Sequence, residues 1–215
     1  MSGAFELLLA TTNRGKLVEL RALLKALPVD LVSLAQVLPG RPPPAEDGAT
    51  FRDNALTKAR AGMKATLLMT LAEDAGLEVD ALGGRPGVRS ARFAGEGATD
   101  AENNAALLAA LHEVDDDQRT ARFRCVMVLL DPWTEGELVV EGRCEGTIAR
   151  APRGGGGFGY DPLFVVSGHG RTMAELDEGV KNRVSHRAQA VGALEAELAD
   201  RIARRIAAAA RVDGI

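Results

Sequence analysis

Short apolar runs alternate with stretches of helical spacing along the whole chain, and the junctions are small polar residues, glycine or proline. Phe5 to Ala10 reads as a strand stopping at Thr11-Thr12-Asn13. Leu17, Leu20, Leu23, Leu24 and Leu27 then recur at helical spacing until Pro28. Leu31 to Leu34 reads as a second strand, and three consecutive prolines make Pro39 to Gly48 a loop. Thr50-Phe51-Arg52-Asp53 resembles a capping box, with Asp in the last place, opening a helix to about Leu68. Leu71 leads into Glu73-Asp74 at the end of an apolar strand, and another β-like stretch follows through Val79. Leu82 to Gly87 is rich in turn residues, and the capping box Thr99 to Glu102 launches a helix ending near His112. Ala121 to Leu130 is the longest strand. Leu138 to Ala149 gives one or two more, with Gly142 and Gly146 as bends or bulges. Leu163 to Val166, a third capping box at Thr172 to Glu175, and a helix from Ser185 almost to the C-terminus complete the pattern. Strands interleaved with helices predict an α/β protein with a mixed sheet. With no internal repeat and no dividing linker, residues 1–215 read as a single domain.

Several function classes are disfavoured by bulk properties. A net charge of −4 argues against bulk attraction to nucleic acid or an anionic membrane, so an anionic ligand would need local cationic contacts. No apolar run approaches the ~20 residues of a membrane span, and no signal peptide is evident. Cys125 and Cys144 have neither C-x-x-C spacing nor matching histidines, so they read as two buried small side chains in a reducing cytoplasm.

The stretch Gly154 to Pro162, GGGGFGYDP, contains G-x-G-x-x-G, the dinucleotide fingerprint. That fingerprint needs a strand before it and a helix opening within it. Here Pro162 and the β-like Leu163-Phe164-Val165-Val166 follow, so the reading fails on context.

Glu46 in the proline-rich loop and Glu73-Asp74 after an apolar strand are placed to meet at the rim of a sheet, where hard oxygen ligands suit Mg²⁺. Pattern alone leans towards solvated surface acids. Thr11-Thr12-Asn13-Arg14-Gly15-Lys16 spans a strand-to-helix turn whose N–H groups and dipole suit a phosphate. It is not a Walker A loop, because the first glycine is missing and Leu17 follows Lys16. Asn54 and Lys58 share a helix face. Ser185 suffices as an N-cap, but His186 and Arg187 crowd the positive end of the last helix, with Lys181 nearby. The dipole disfavours cations there, and a bound group rich in acceptors would resolve the conflict. His112 and His169 are not candidates for chemistry.

Taken together, these pieces resemble the inosine/xanthosine triphosphate pyrophosphatases, the Ham1-like or RdgB-like family. The matching segments are Thr11, Asn13 and Lys16; Glu46 ahead of Gly48-Ala49-Thr50-Phe51; Asn54-Ala55 with Lys58-Ala59-Arg60; and Glu73-Asp74 with Gly76-Leu77. They continue with Pro86-Gly87 and Ser90-Ala91-Arg92-Phe93; Gly157 to Pro162; and Ser185-His186-Arg187. Any one fragment is weak, whereas the ordered set is specific.

The resemblance implies an elongated, two-lobed α/β fold around a central mixed sheet with an active-site cleft, forming a homodimer. It implies Mg²⁺-dependent hydrolysis of ITP, dITP and XTP to the monophosphate and pyrophosphate. By position, Thr11 to Lys16 would hold phosphates, with Lys58 offsetting their charge. Glu46 and Asp74 would ligate Mg²⁺, Glu73 would be a further or water-mediated ligand, and Asp74 would accept the proton of the attacking water. Phe158, Gly159, Tyr160, Asp161, Lys181, His186 and Arg187 would hold the base: Phe158 stacks, and Lys181, Arg187 and a protonated His186 donate to a 6-oxo group. Glycines 154–157 would let the main chain approach the nucleotide. Ala75 stands where the family commonly has serine or threonine, removing a hydroxyl contact but keeping the backbone N–H. Residues from about 203 to 215 pass the family's usual end as a helical extension. Two alternatives stay open: a related pyrophosphatase for pyrimidine or modified nucleotides, and a non-catalytic nucleotide sensor.

Overall fold

Three strands of eleven residues dominate the computed structural model, which describes residues 5–212. At about 3.3 Å per residue each spans roughly 36 Å, longer than one small core needs. In chain order the elements are β1 (Phe5–Leu9), α1 (Arg14–Leu23), β2 (Val29–Ser33), α2 (Leu34–Val37), α3 (Phe51–Thr66) and β3 (Met69–Val79). They continue with α4 (Asp100–Ala110), β4 (Thr120–Leu130), β5 (Leu138–Ile148), β6 (Phe164–Val166), α5 (Glu178–Val184) and α6 (His186–Val212). The sheet order is β2-β1-β3-β4-β5-β6. β1 runs parallel to β2 and β3, and the remaining pairs are antiparallel, so the sheet is mixed as the alternation predicts.

The long strands pass through two lobes. Met69 and Leu71 of β3 and Cys125, Met127 and Leu129 of β4 pack with α1 and α6. Farther along the same strands, Leu77, Val79, Ala121 and Phe123 join a separate core with Leu107 of α4 and Phe164 of β6. A third cluster lies under α3, on the opposite face of the sheet, through Ala55, Ala59, Ala72 and Val128. Glu73 to Gly76 fall where one core gives way to the next, and the cleft crosses the sheet there.

Several local expectations change. The two β-like stretches around Glu73-Asp74 are one strand, so the acids lie mid-strand rather than at its end. α1 stops at Leu23, with Leu24 as its C-cap; the turn to Leu27 precedes Pro28, which disfavours helix at the residue before it. α2 begins where the second strand was expected to end, with the Ser33 N–H donating to Gln36 Oε1 at 2.9 Å in a capping box. The capping box at Thr172 starts only a single 3-10 turn, Met173–Glu175. β5 is one strand in unbroken register. Gly142 and Gly146 are therefore not bulges: a Cβ on Gly142 would strike the His186 carbonyl and the Ala190 nitrogen of α6. Bare backbone there lets α6 lie directly on the sheet.

Both cysteines are free and buried, as expected. α6 runs on through the expected extension to Val212, burying Leu198 and Ile202 and laying the Arg205 guanidinium 3.5 Å from the Trp133 ring centroid. Residues 213–215 of that expectation lie outside the described residues. Among the described residues, no helix is long and apolar enough to cross a membrane.

Candidate active site

Neighbouring acids of β3 have different surroundings, because successive side chains on a strand point to opposite faces of the sheet: Asp74 lines the cleft and Glu73 does not. Asp74 points towards α3. Its Oδ1 accepts from Lys58 Nζ at 3.2 Å and its Oδ2 from Asn54 Nδ2 at 3.0 Å, donors one turn apart on the helix that Thr50 caps. Glu46, from the proline-rich loop, accepts from the same Lys58 Nζ at 2.5 Å. Its backbone carbonyl is held by Arg92 at 2.6 Å. Burial disfavours the Lys58 ammonium, but Asp74 and Glu46 outweigh it and raise its pKa. Burial likewise pushes the Glu46 carboxyl up, but Lys58 chiefly, with Lys16 and Arg92, holds it below the ordinary range.

Glu73 points the other way. Its carboxylate accepts from Arg187 Nε at 2.8 Å and Nη2 at 2.9 Å, sits 3.4 Å from Lys16 Nζ, and accepts the Cys125 thiol at 3.2 Å. Burial opposes its charge, yet Arg187 and Lys16 hold the carboxyl well below the usual range. Three acids meeting at a sheet rim are therefore not what the chain builds. Among the described residues no three His, Cys, Asp or Glu side chains gather in a metal-holding group. Glu46 and Asp74 converge, while Glu73 is an ion-pair partner on the far face.

The cleft has a volume of about 430 Å³, and its lining includes Thr11, Thr12, Asn13, Lys16, Glu46, Lys58, Asp74 and Ala75. Phe158 to Asp161, Lys181, His186 and Arg187 also line it. Asn13 caps α1, its Oδ1 accepting the Lys16 N–H at 3.1 Å, and Thr11 Oγ1 accepts the Asn13 N–H at 3.2 Å. Arg14 is exposed and outside the lining. Gly15 lies under the Phe158 ring, which would stand 2.5 Å from any Cβ placed there.

At the other end, Lys181 of α5 bonds Asp161 and Glu19, each at 2.6 Å. Burial disfavours its ammonium, but the two acids raise its pKa; burial pushes the Asp161 carboxyl up. Arg187 pairs with Glu73 and Glu19. The conflict of cations at a helix N-terminus is thus resolved inside the protein, by Glu73 and Glu19. Glu19 was not legible as a site residue; its one signal is an acid three residues after Lys16 on α1. His186 is buried, stacks on Phe123 at 4.8 Å between centroids, and leaves Nδ1 without a partner among the described residues. Burial and then Arg187 push its pKa well down, so the protonated His186 expected from sequence becomes a neutral ring.

The glycine run also differs from expectation, since Gly154 to Gly157 are not in the cleft lining. Gly154 packs against the Ala174 main chain, 2.6 Å from where its Cβ would be, and the Gly156 N–H donates to the Ala174 carbonyl at 3.1 Å. Gly157 makes room for the Asp161–Lys181 pair. The run brings backbone to backbone behind the pocket, and Phe158 and Gly159 face the cleft.

An interlobe cleft with two acids on one lysine at one end, and an aromatic, cation-bearing recess at the other, defines a nucleotide-processing α/β enzyme. The chain belongs to the Ham1 family, whose model matches residues 7–197. It is 52% identical over 187 residues to the dITP/XTP pyrophosphatase of Desulforamulus reducens, covering 86% of this chain and 92% of that one. The solved HAM1 protein from Coxiella burnetii superposes with TM-score 0.82 at 44% identity, covering 91% of this chain and 99% of that one. A nucleoside-triphosphatase / dITP/XTP pyrophosphatase from Mycobacterium abscessus gives TM-score 0.71 at 49% identity, covering 88% and 98%.

Proposed function

We propose that the chain hydrolyses deaminated purine nucleoside triphosphates, dITP, ITP and XTP, to the monophosphate and pyrophosphate. The observation that carries this reading is the convergence of Glu46 and Asp74 on one Lys58 ammonium, at the end of the cleft opposite Phe158, Lys181 and Arg187. Two carboxylates sharing one cation are hard-oxygen donors of the kind Mg²⁺ takes, so the donor set fits that ion. Bound there, Mg²⁺ would supply charge neutralisation for the phosphates and a more acidic water.

Lys16, Lys58 and the Thr11–Asn13 turn meet the triphosphate, with the N–H groups of the α1 N-terminus aimed at its oxygens. Asp74, oriented by Asn54 and Lys58, takes the proton of the water attacking the α-phosphorus, and the lysines stabilise departing pyrophosphate. Ala75 contributes its backbone N–H to the cleft wall.

The base lies against Phe158. Lys181, Arg187 and the neutral His186 ring meet its edge, and Glu19, Glu73 and Asp161 fix where those donors point. A donor-lined recess suits a 6-oxo purine and leaves donor facing donor when adenine enters, a mismatch costing ~1–3 kcal/mol per unpaired group. We take residues 1–215 as one domain, acting as a homodimer in the cytoplasm.

The test is to incubate the purified chain with Mg²⁺ and a panel of nucleoside triphosphates and identify the products. Pyrophosphate from dITP and XTP, with kcat/KM far above ATP and GTP, is the expected result. Orthophosphate release, equal rates on all substrates, or binding without turnover would overturn it.

A further inference from the structure

Next to the stacking ring, at a wall of the cleft that Asp100 and Gly159 both line, one residue has both of its peptide groups gripped by a single helix. The Gly159 N–H donates to Asp100 Oδ2 at 2.7 Å, and the Gly159 carbonyl accepts from Asn104 Nδ2 at 2.9 Å. Asp100 and Asn104 are one turn apart on α4 and share a face. Gly159 has φ +61°, a conformation other residues adopt at a cost, so the chain is committed to this turn.

The helix end that does the gripping is itself fixed. Thr99 and Glu102 form a reciprocal capping box, with the Thr99 N–H donating to Glu102 at 2.7 Å. Asn103, in the same turn, accepts the Ala94 N–H at 2.9 Å and donates to the Ala91 carbonyl at 3.1 Å. The Tyr160 hydroxyl donates to the Ser90 carbonyl at 2.8 Å. Asp100 is exposed and adds nothing to a core, and the Asn104 amide is aligned by its bond to Gly159.

We propose that Asp100 and Asn104 are positioning residues that set the Phe158 ring over Gly15, and thereby set how tightly the base is held. The inference rests on the reading of Phe158 as the stacking face given above. Without the clasp, the Gly159 peptides turn more freely and the ring leaves its place 5.5 Å from Lys181 Nζ and 5.8 Å from Arg187 Cζ. Stacking is the same in the ground state and the transition state, so its loss raises KM and leaves kcat alone. Stacking also does not distinguish bases, so every substrate loses by the same factor.

The experiment compares Asp100→Ala, Asn104→Ala, the double variant and Asp100→Asn with the parent full-length chain. Pyrophosphate release from XTP and dITP gives kcat and KM. Calorimetric titration with XTP in the absence of divalent ions gives Kd without turnover. Thermal melting reports folding. In the double variant we expect KM and Kd to rise about tenfold, equally for both substrates, with kcat within about twofold and melting unchanged. Asp100→Asn keeps an acceptor for the Gly159 N–H and should restore the parent KM. A double variant with parental KM and Kd would overturn the proposal. So would a loss confined to kcat with lowered melting, or an Asp100→Asn variant as impaired as Asp100→Ala. A parent chain that binds XTP but turns over neither substrate would instead sink the proposed function, while the Kd comparison would still judge the clasp.

Discussion

The two ends of the cleft use the same residue types in different balance. At the acid end, Glu46 and Asp74 share a single lysine, Glu46 is partly open to solvent, and the neighbouring Arg92 pairs with Glu96. At the base end, Lys181 and Arg187 face Glu19, Glu73 and Asp161, with Lys16 reaching Glu73 from the turn proposed to hold the phosphates, and every one of these side chains is at most 13% exposed. An end with spare negative charge attracts a further cation. A balanced, buried end offers directed N–H groups with little net charge, which matches an uncharged base. Removing one member should therefore cost chemistry at the first end and stability at the second.

The largest expected effect tests the first half of that contrast. Asp74→Asn should lower kcat about 10²–10⁴-fold in a pyrophosphate-release assay, with melting close to the parent's. Parental turnover would remove Asp74 from its proposed role. The second half is tested by Glu73→Ala, which leaves Arg187 buried without its main partner. A loss of about 3–5 kcal/mol is expected, read as a melting temperature lower by roughly 10 °C. An unchanged melting curve would break the contrast.

Smaller effects sharpen it. Gly142→Ala presses a methyl group against the His186 carbonyl and should cost about 1–3 kcal/mol in denaturant unfolding, with KM disturbed more than kcat. Smallest is thiol labelling at pH 8. Burial pushes the Cys144 thiol up to about 11 and the Cys125 thiol well above its ordinary value, so neither should react before unfolding. Rapid labelling of Cys125 would show that the base end opens in the native state.

Much of this architecture could be read along the chain. The capping boxes at Thr50 and Thr99, the strand closing at Leu130, and the mixed α/β class all follow from local signals. So does the membership of Glu46, Lys58, Phe158, Lys181 and Arg187 in one cleft, once the ordered segments are compared with a family. The four-residue α2 is not read from the sequence, in which Leu31 to Leu34 reads only as a strand; its capping box of Ser33 and Gln36 shows in the structure.

What the sequence by itself determined were element types, their order and the residue types available to the cleft, because helical spacing, capping and turn chemistry act within a few residues. Partnership was decided only in three dimensions. Glu73 and Asp74 part company because a strand alternates its faces, a consequence hidden while the two acids were read as a strand's end. Glu73 meets Arg187 across 114 positions and Asp100 meets Gly159 across 59. The neutral state of His186 comes from burial under Phe123 and beside Arg187. Charge state and hydrogen-bond partner depend on what lies within a few ångströms in space, and that distance is set by how the sheet and helices pack.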